Sequence, residues 1–119
     1  MEDCVWSVKN GDLEGVKKRI TAENVNKFFD GRAPLHYAAD FGQTEIARYL
    51  VDSGANLNLK DAHGIAPLLA AVWESHLETV QLLIQKGADC GVKSPQGEGL
   101  LACADSAEIR QLLESHCHK

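Results

Sequence analysis

At 119 residues, with 45% hydrophobic and 24% charged side chains, the chain has the size and make-up of one globular domain, which excludes a disordered, collagenous or coiled-coil protein. Twelve Lys and Arg against seventeen Asp and Glu leave a net charge of -5, which opposes binding to phosphate backbones and points instead to a basic protein surface as partner. The longest apolar run, Ile65 to Trp73, is interrupted by Pro67 and falls well short of the ~20 residues that cross a bilayer.

A repeat organises the elements. Gly31-Arg32-Ala33-Pro34-Leu35-His36-Tyr37-Ala38-Ala39 returns 33 residues later as Gly64-Ile65-Ala66-Pro67-Leu68-Leu69-Ala70-Ala71-Val72, and more weakly, 33 residues further on, from Gly97 to Ala104. Tyr49 to Asn56 returns as Leu82 to Asp89 at the same offset.

In chain order, Met1-Glu2-Asp3-Cys4 is acidic where a secretory leader is basic, so the expected location is the cytoplasm, with access to the nucleus. Lys17-Lys18-Arg19 reads as the solvated outer face of a helix. Of Phe28 and Phe29, one is expected to pack against the helices and the other to be exposed. Pro34 suits the first position of a short helix, and Leu35, Ala38 and Ala39 form its apolar stripe. Phe41-Gly42-Gln43 breaks that helix, and Glu45 to Asp52 reads as a second, ended by a left-handed Gly54. Asn56 to His63 is an extended loop leading to the next glycine, after which Pro67 begins the same unit again. Each unit is helix, turn, helix. None buries its stripe alone, so the units must stack.

These motifs resemble the ankyrin repeat family, whose units open Gly-x-Thr-Pro-Leu-His-x-Ala-Ala and close Leu-Leu-Leu-x-x-Gly-Ala-Asp. The resemblance implies an all-α solenoid of stacked helix-turn-helix units with extended loops. Two full repeats lie between degenerate N- and C-terminal capping repeats, in one domain over 1–119 with units near 1–29, 30–62, 63–95 and 96–119. In the first cap, Asn10-Gly11-Asp12-Leu13 takes the inter-helix turn; the last cap is about three residues short at its turn. Ala33 and Ala66 replace the family threonine, and the family histidine, a hydrogen-bonded structural residue, survives only as His36. The second full repeat is therefore expected to be the less rigid.

Within that family the chain is similar to the small myotrophin group. The similarity rests on Trp6-x-x-Lys9-Asn10-Gly11-Asp12-Leu13, on Gly31-Arg32-x-Pro34-Leu35-His36-Tyr37-Ala38-Ala39-Asp40, on Pro67 to His76 and on Lys86 to Lys93. Phe41 and Trp73 depart from it, standing where that group carries a small residue and Tyr. The likeness implies a regulator of actin assembly that binds the heterodimeric actin capping protein and sterically blocks the basic surface with which it holds filament barbed ends. A nuclear or signalling adaptor, for example an inhibitor of Rel-type transcription factors, is the alternative.

The register places a binding face. With Leu35, Ala38 and Ala39 turned into the stack, Tyr37, Asp40 and Phe41 face out on the concave side. The same register exposes Ala70, Trp73 and Glu74 in the next unit, and Trp6, Lys9 and Asn10 in the first. Exposed aromatics flanked by carboxylates anchor protein interfaces and suit a basic partner, so Trp6, Asn10, Tyr37, Asp40, Phe41, Trp73 and Glu74 form the candidate site, with Asp30, Arg32 and His63 as a polar rim. For Trp6, packing over the end of the stack is the competing role.

No nucleophile elbow, phosphate loop or zinc-spaced cysteine set is present, so no enzyme activity, cofactor or catalytic residue is expected. The expected protein is a monomer that binds neither nucleic acid nor membrane. The four cysteines, Cys4, Cys90, Cys103 and Cys117, include no Cys-x-x-Cys pair and are expected to be free and mostly buried. His116-Cys117-His118 lacks a fourth ligand, so no metal site is expected. A redox or metal sensor on Cys103, Cys117 and the terminal histidines is a third reading.

Overall fold

The computed structural model describes residues 2–117, with side chains from residue 4 onward. Met1, His118 and Lys119 lie outside the described residues, so one histidine of the terminal His-Cys-His cluster is outside them too. Among the described residues eight helices follow in order: α1 (Glu2–Lys9), α2 (Leu13–Arg19), α3 (Pro34–Asp40), α4 (Thr44–Asp52), α5 (Pro67–Trp73), α6 (Leu77–Gln85), α7 (Leu100–Cys103) and α8 (Ala107–His116). They form four antiparallel pairs. The first helix of each pair packs in one row, α1 on α3 on α5 on α7, and the second in a parallel row, α2 on α4 on α6 on α8. The long dimension, 38 Å, matches four layers at roughly 10 Å each.

Local chemistry sets the inner helices. Pro34 and Pro67 occupy the first turns of α3 and α5, where a missing N–H costs nothing, and an extended alanine precedes each. Leu35, Ala38 and Ala39, with Leu68, Ala70, Ala71 and Val72, are buried in a continuous core. Alanines at these contacts let backbones approach closely, which is why rows of such short helices pack tightly.

The inter-helix turn needs one left-handed residue, supplied by Gly11, Gly42 and, in the third unit, Ser75 at φ 61°. At Gly42 the requirement is double, because a Cβ there would sit 2.5 Å from the Nδ1 of His76. The His76 ring lies over that turn and hydrogen-bonds the Asp40 carbonyl through Nε2 at 3.0 Å. One unit earlier, Gln43 Nε2 donates to the Lys9 carbonyl at 3.0 Å in the same way. Ser75 carries the strain that glycine avoids. Ser75→Gly is expected to stabilise the fold by about 1 kcal/mol, read as a rise in the urea midpoint at constant slope.

The extended loops carry their own side-chain acceptors. Asp61 and Ser94 stand 33 residues apart, both buried, and each accepts from the backbone N–H two and four residues on. The equivalent position one unit earlier is Phe28, which accepts nothing. There the turn instead places Asp30 and Gly31 both at positive φ. Phe28 is exposed with its ring edge-to-face on His36, and Phe29 is buried, the division expected for that pair. Loop amides also run between units: Asn26 accepts from Asn56 N–H and Asn58 from Asp89 N–H.

His36 ties a helix start to the following loop. Its Nδ1 accepts from Ala33 N–H at 3.0 Å while Nε2–H donates to the Leu59 carbonyl at 2.7 Å, which fixes the neutral tautomer. Burial lowers its pKa below the ordinary value, against the opposing pull of the Leu59 carbonyl and Asp61. The unfolded chain therefore takes up a proton before the fold does. Stability is complete above the unfolded histidine pKa, ~6.5, and is lost as pH falls below it. The denaturant midpoint is expected to fall on moving from pH 7.5 to pH 5, with a smaller fall in His36→Gln.

Two expectations are corrected here. The last unit is short in its first helix rather than its turn: α7 has 4 residues where α5 has 7, and residues 104–106 still form the connection. Cys90 and Cys117 are not free but form a disulfide, their Cα atoms 5.4 Å apart, because the end of α8 returns to the segment that follows α6. Cys4 and Cys103 are buried as thiols, and burial raises the pKa of both.

Candidate protein-binding face

Trp6 in α1, Phe41 just after α3 and Trp73 at the end of α5 are exposed to solvent, at 59%, 45% and 38%. Each of three consecutive units thus carries one exposed aromatic ring. Asn10 lies in the first turn, where its Nδ2 donates to the Trp6 carbonyl at 2.9 Å and closes the end of α1. Glu74 is exposed at the corresponding place in the third unit.

Tyr37 and Ala70 are not on this surface; both are buried, contrary to the register argument. The Tyr37 hydroxyl donates to the Phe29 carbonyl at 2.6 Å, which draws the ring under the first loop. Its faces are covered by cations: Arg32 lies 5.2 Å from the ring centroid and Lys9 Nζ 5.5 Å. Lys9 also reaches within 5.6 Å of the Phe41 centroid. Such contacts are worth ~0.5–1 kcal/mol each where exposed. Lys9 thus lies across the two aromatic rings of α3 and makes the first-unit end of the face partly cationic.

Arg32 turns inward rather than forming an outer rim. Its Nε meets Asp61 Oδ2 at 3.2 Å, and a terminal nitrogen meets Asp40 Oδ2 at 3.6 Å. The Asp61 side chain is fully enclosed and needs both this counter-charge and its backbone donors. Burial opposes its ionisation, but the N–H groups of Ile65 and His63 with the charge of Arg32 outweigh burial and hold the carboxyl below its ordinary pKa. Asp40, half-buried and paired, is therefore a partly neutralised acid, whereas Asp30 and His63 are exposed at loop tips. Sequence reasoning did not single out Asp61. Its signal was the Asp61/Ser94 pair at the repeat spacing, each three residues before a glycine.

Trp73 lies near Cys103 of α7, close enough for its indole to act on the thiol. Trp6 stands clear of the stack, as the most exposed large apolar residue among those described. The Lys17-Lys18-Arg19 run is exposed on α2. Among the described residues, no cluster of three or more His, Cys, Asp or Glu is placed to hold a metal, and no helix is long and apolar enough to cross a membrane.

The molecule is a stack of helix pairs, and a family model described as "Ankyrin repeats (3 copies)" covers residues 5–94. The chain belongs to the ankyrin repeat family. Ankyrin repeats are protein-interaction modules. Myotrophin from Xenopus tropicalis is 48% identical over 114 residues, covering 94% of this chain and 97% of that protein. The similarity therefore extends over the whole of a small ankyrin protein. Longer relatives match through their repeats: Rabankyrin-5 from Mus musculus at 40% identity, over 63% of this chain and 6% of that protein, and a 26S proteasome non-ATPase regulatory subunit 10 from Dictyostelium discoideum at 39%, over 74% and 40%. Only with myotrophin among these three is nearly the full length of both proteins shared.

Proposed function

We propose that this ankyrin protein binds the heterodimeric actin capping protein through the turn-side face of α1, α3 and α5 and, by occupying the basic surface that grips filament barbed ends, inhibits capping. The observation that carries the reading is the exposure of one aromatic ring in each of three consecutive units, Trp6, Phe41 and Trp73, in a chain similar to myotrophin over 94% of its length. In this reading Trp6, Phe41 and Trp73 insert as anchors, and Glu74 and Asp40 meet basic groups of the partner. Asn10 sets the edge of the contact. Tyr37 contributes from beneath, holding Lys9 and Arg32 in place. The action is occlusion, with no bond made or broken, in the cytoplasm where actin assembles.

Charge sets how such a complex forms. A chain of net charge -5 approaching a basic surface is steered by fields that salt screens beyond ~8 Å at physiological ionic strength. Stopped-flow association with purified capping protein is expected to slow as salt is raised from 50 to 300 mM while dissociation changes little. A salt-independent association rate, or no association, contradicts the reading.

A further inference from the structure

The last described helix pair has the shortest inner helix of the stack. α7 is a single turn of 4 residues, and its Leu101 is 39% exposed. Outer helix α8 reaches the core through Ile109 and Leu113, and an open groove lined by Leu77, Gln81, Leu112 and His116 runs along its edge with α6. In a stacked array each unit is held by its neighbours, so a unit with a shortened inner helix opens readily.

The disulfide sits across this weak junction. Cys90 lies just after α6 and Cys117 at the C-terminal cap of α8, so the 27-residue separation encloses all of α7 and α8. Both cysteines are half-buried at the edge of the core, within reach of a small thiol, whereas Cys4 and Cys103 are buried. We propose that Cys90 and Cys117 are a thiol–disulfide exchange site whose bond locks the terminal helix pair onto the third unit and whose reduction releases it.

The exchange balances without any other group. To open the bond, a thiolate of a small dithiol attacks one sulfur and displaces the other cysteine as thiolate; the second thiolate of the dithiol then breaks the mixed disulfide. Two electrons pass to the protein, both cysteines take protons from water, and the dithiol becomes a cyclic disulfide. Closure runs against an oxidised low-molecular-weight disulfide, which accepts two electrons and leaves as two thiols. A pair of this kind stays open in a reducing compartment and closes under oxidation.

Closing a loop of this length restricts the opened state, so opening of the terminal pair is expected to be roughly a hundredfold rarer with the bond formed. The full chain is equilibrated in glutathione buffers of graded oxidised-to-reduced ratio, free thiols are alkylated and counted by mass, and backbone hydrogen exchange is followed with the bond closed and after dithiothreitol. The expected result is a reversible loss of two alkylation sites, mapped to Cys90 and Cys117, with amides in α7 and α8 exchanging up to a hundredfold faster on reduction and those of α3 to α6 unchanged. Cys90→Ser and Cys117→Ser should each exchange like the reduced protein and ignore the buffer. Four alkylatable thiols at every ratio, a bond between two chains instead of within one, or identical α8 exchange in both states would overturn the proposal. The wild-type comparison stands even if a serine variant fails to fold.

Discussion

Trp73→Ala is expected to weaken binding to capping protein by roughly 30-fold, about 2 kcal/mol, while far-ultraviolet circular dichroism stays that of the parent. Trp73 combines a large ring with partial exposure, so it offers substantial apolar surface for a partner to bury. Phe41→Ala should give a smaller loss, since Lys9 already covers part of that ring. Trp6→Ala separates the two roles of Trp6: a fall in affinity with an unchanged melting temperature marks an anchor, and a fall in melting temperature alone marks an end cap. The readout is the equilibrium constant by titration calorimetry. Unchanged affinity in both Trp73→Ala and Phe41→Ala would remove the face from the account.

The second large effect is on stability. His36→Ala is expected to destabilise the fold by about 3 kcal/mol, because a fully buried ring is lost and the Ala33 N–H and the Leu59 carbonyl are both left without their partner. For a chain of this size that corresponds to a fall of roughly 12 °C in melting temperature. The third unit offers an internal comparison, since Leu69, also fully buried, fills the same register with carbon alone. His36→Leu should therefore recover part of the packing but not the link to the loop. Equal stability of wild type and His36→Ala would show that the bridge from helix start to loop carries no weight.

The fold was legible because a 33-residue period multiplies weak local signals: each proline start, apolar stripe and closing glycine is seen more than once. The burial of Leu35, Ala38 and Ala39 and the exposure of Phe41, Trp73 and Glu74 follow that register. Position within one helix could not show where Tyr37 goes, because its ring is drawn down by a carbonyl eight residues earlier in the chain. Arg32 was misjudged for the same reason: its partner Asp61 lies 29 residues away, in the loop that closes the unit. The Cys90–Cys117 pair has a separation of 27, outside the repeat period, and joins a loop to the end of a helix that only stacking brings near. What escaped the sequence was thus the contacts between segments far apart in the chain, where geometry rather than periodicity decides.

The most direct test is the growth of actin from filament seeds, followed by pyrene fluorescence, with enough capping protein to stop elongation and this chain added in excess. The account predicts that elongation returns in proportion to the amount added, and that Trp73→Ala needs roughly 30-fold more to give the same recovery. Elongation that stays blocked at every concentration of folded protein would contradict it.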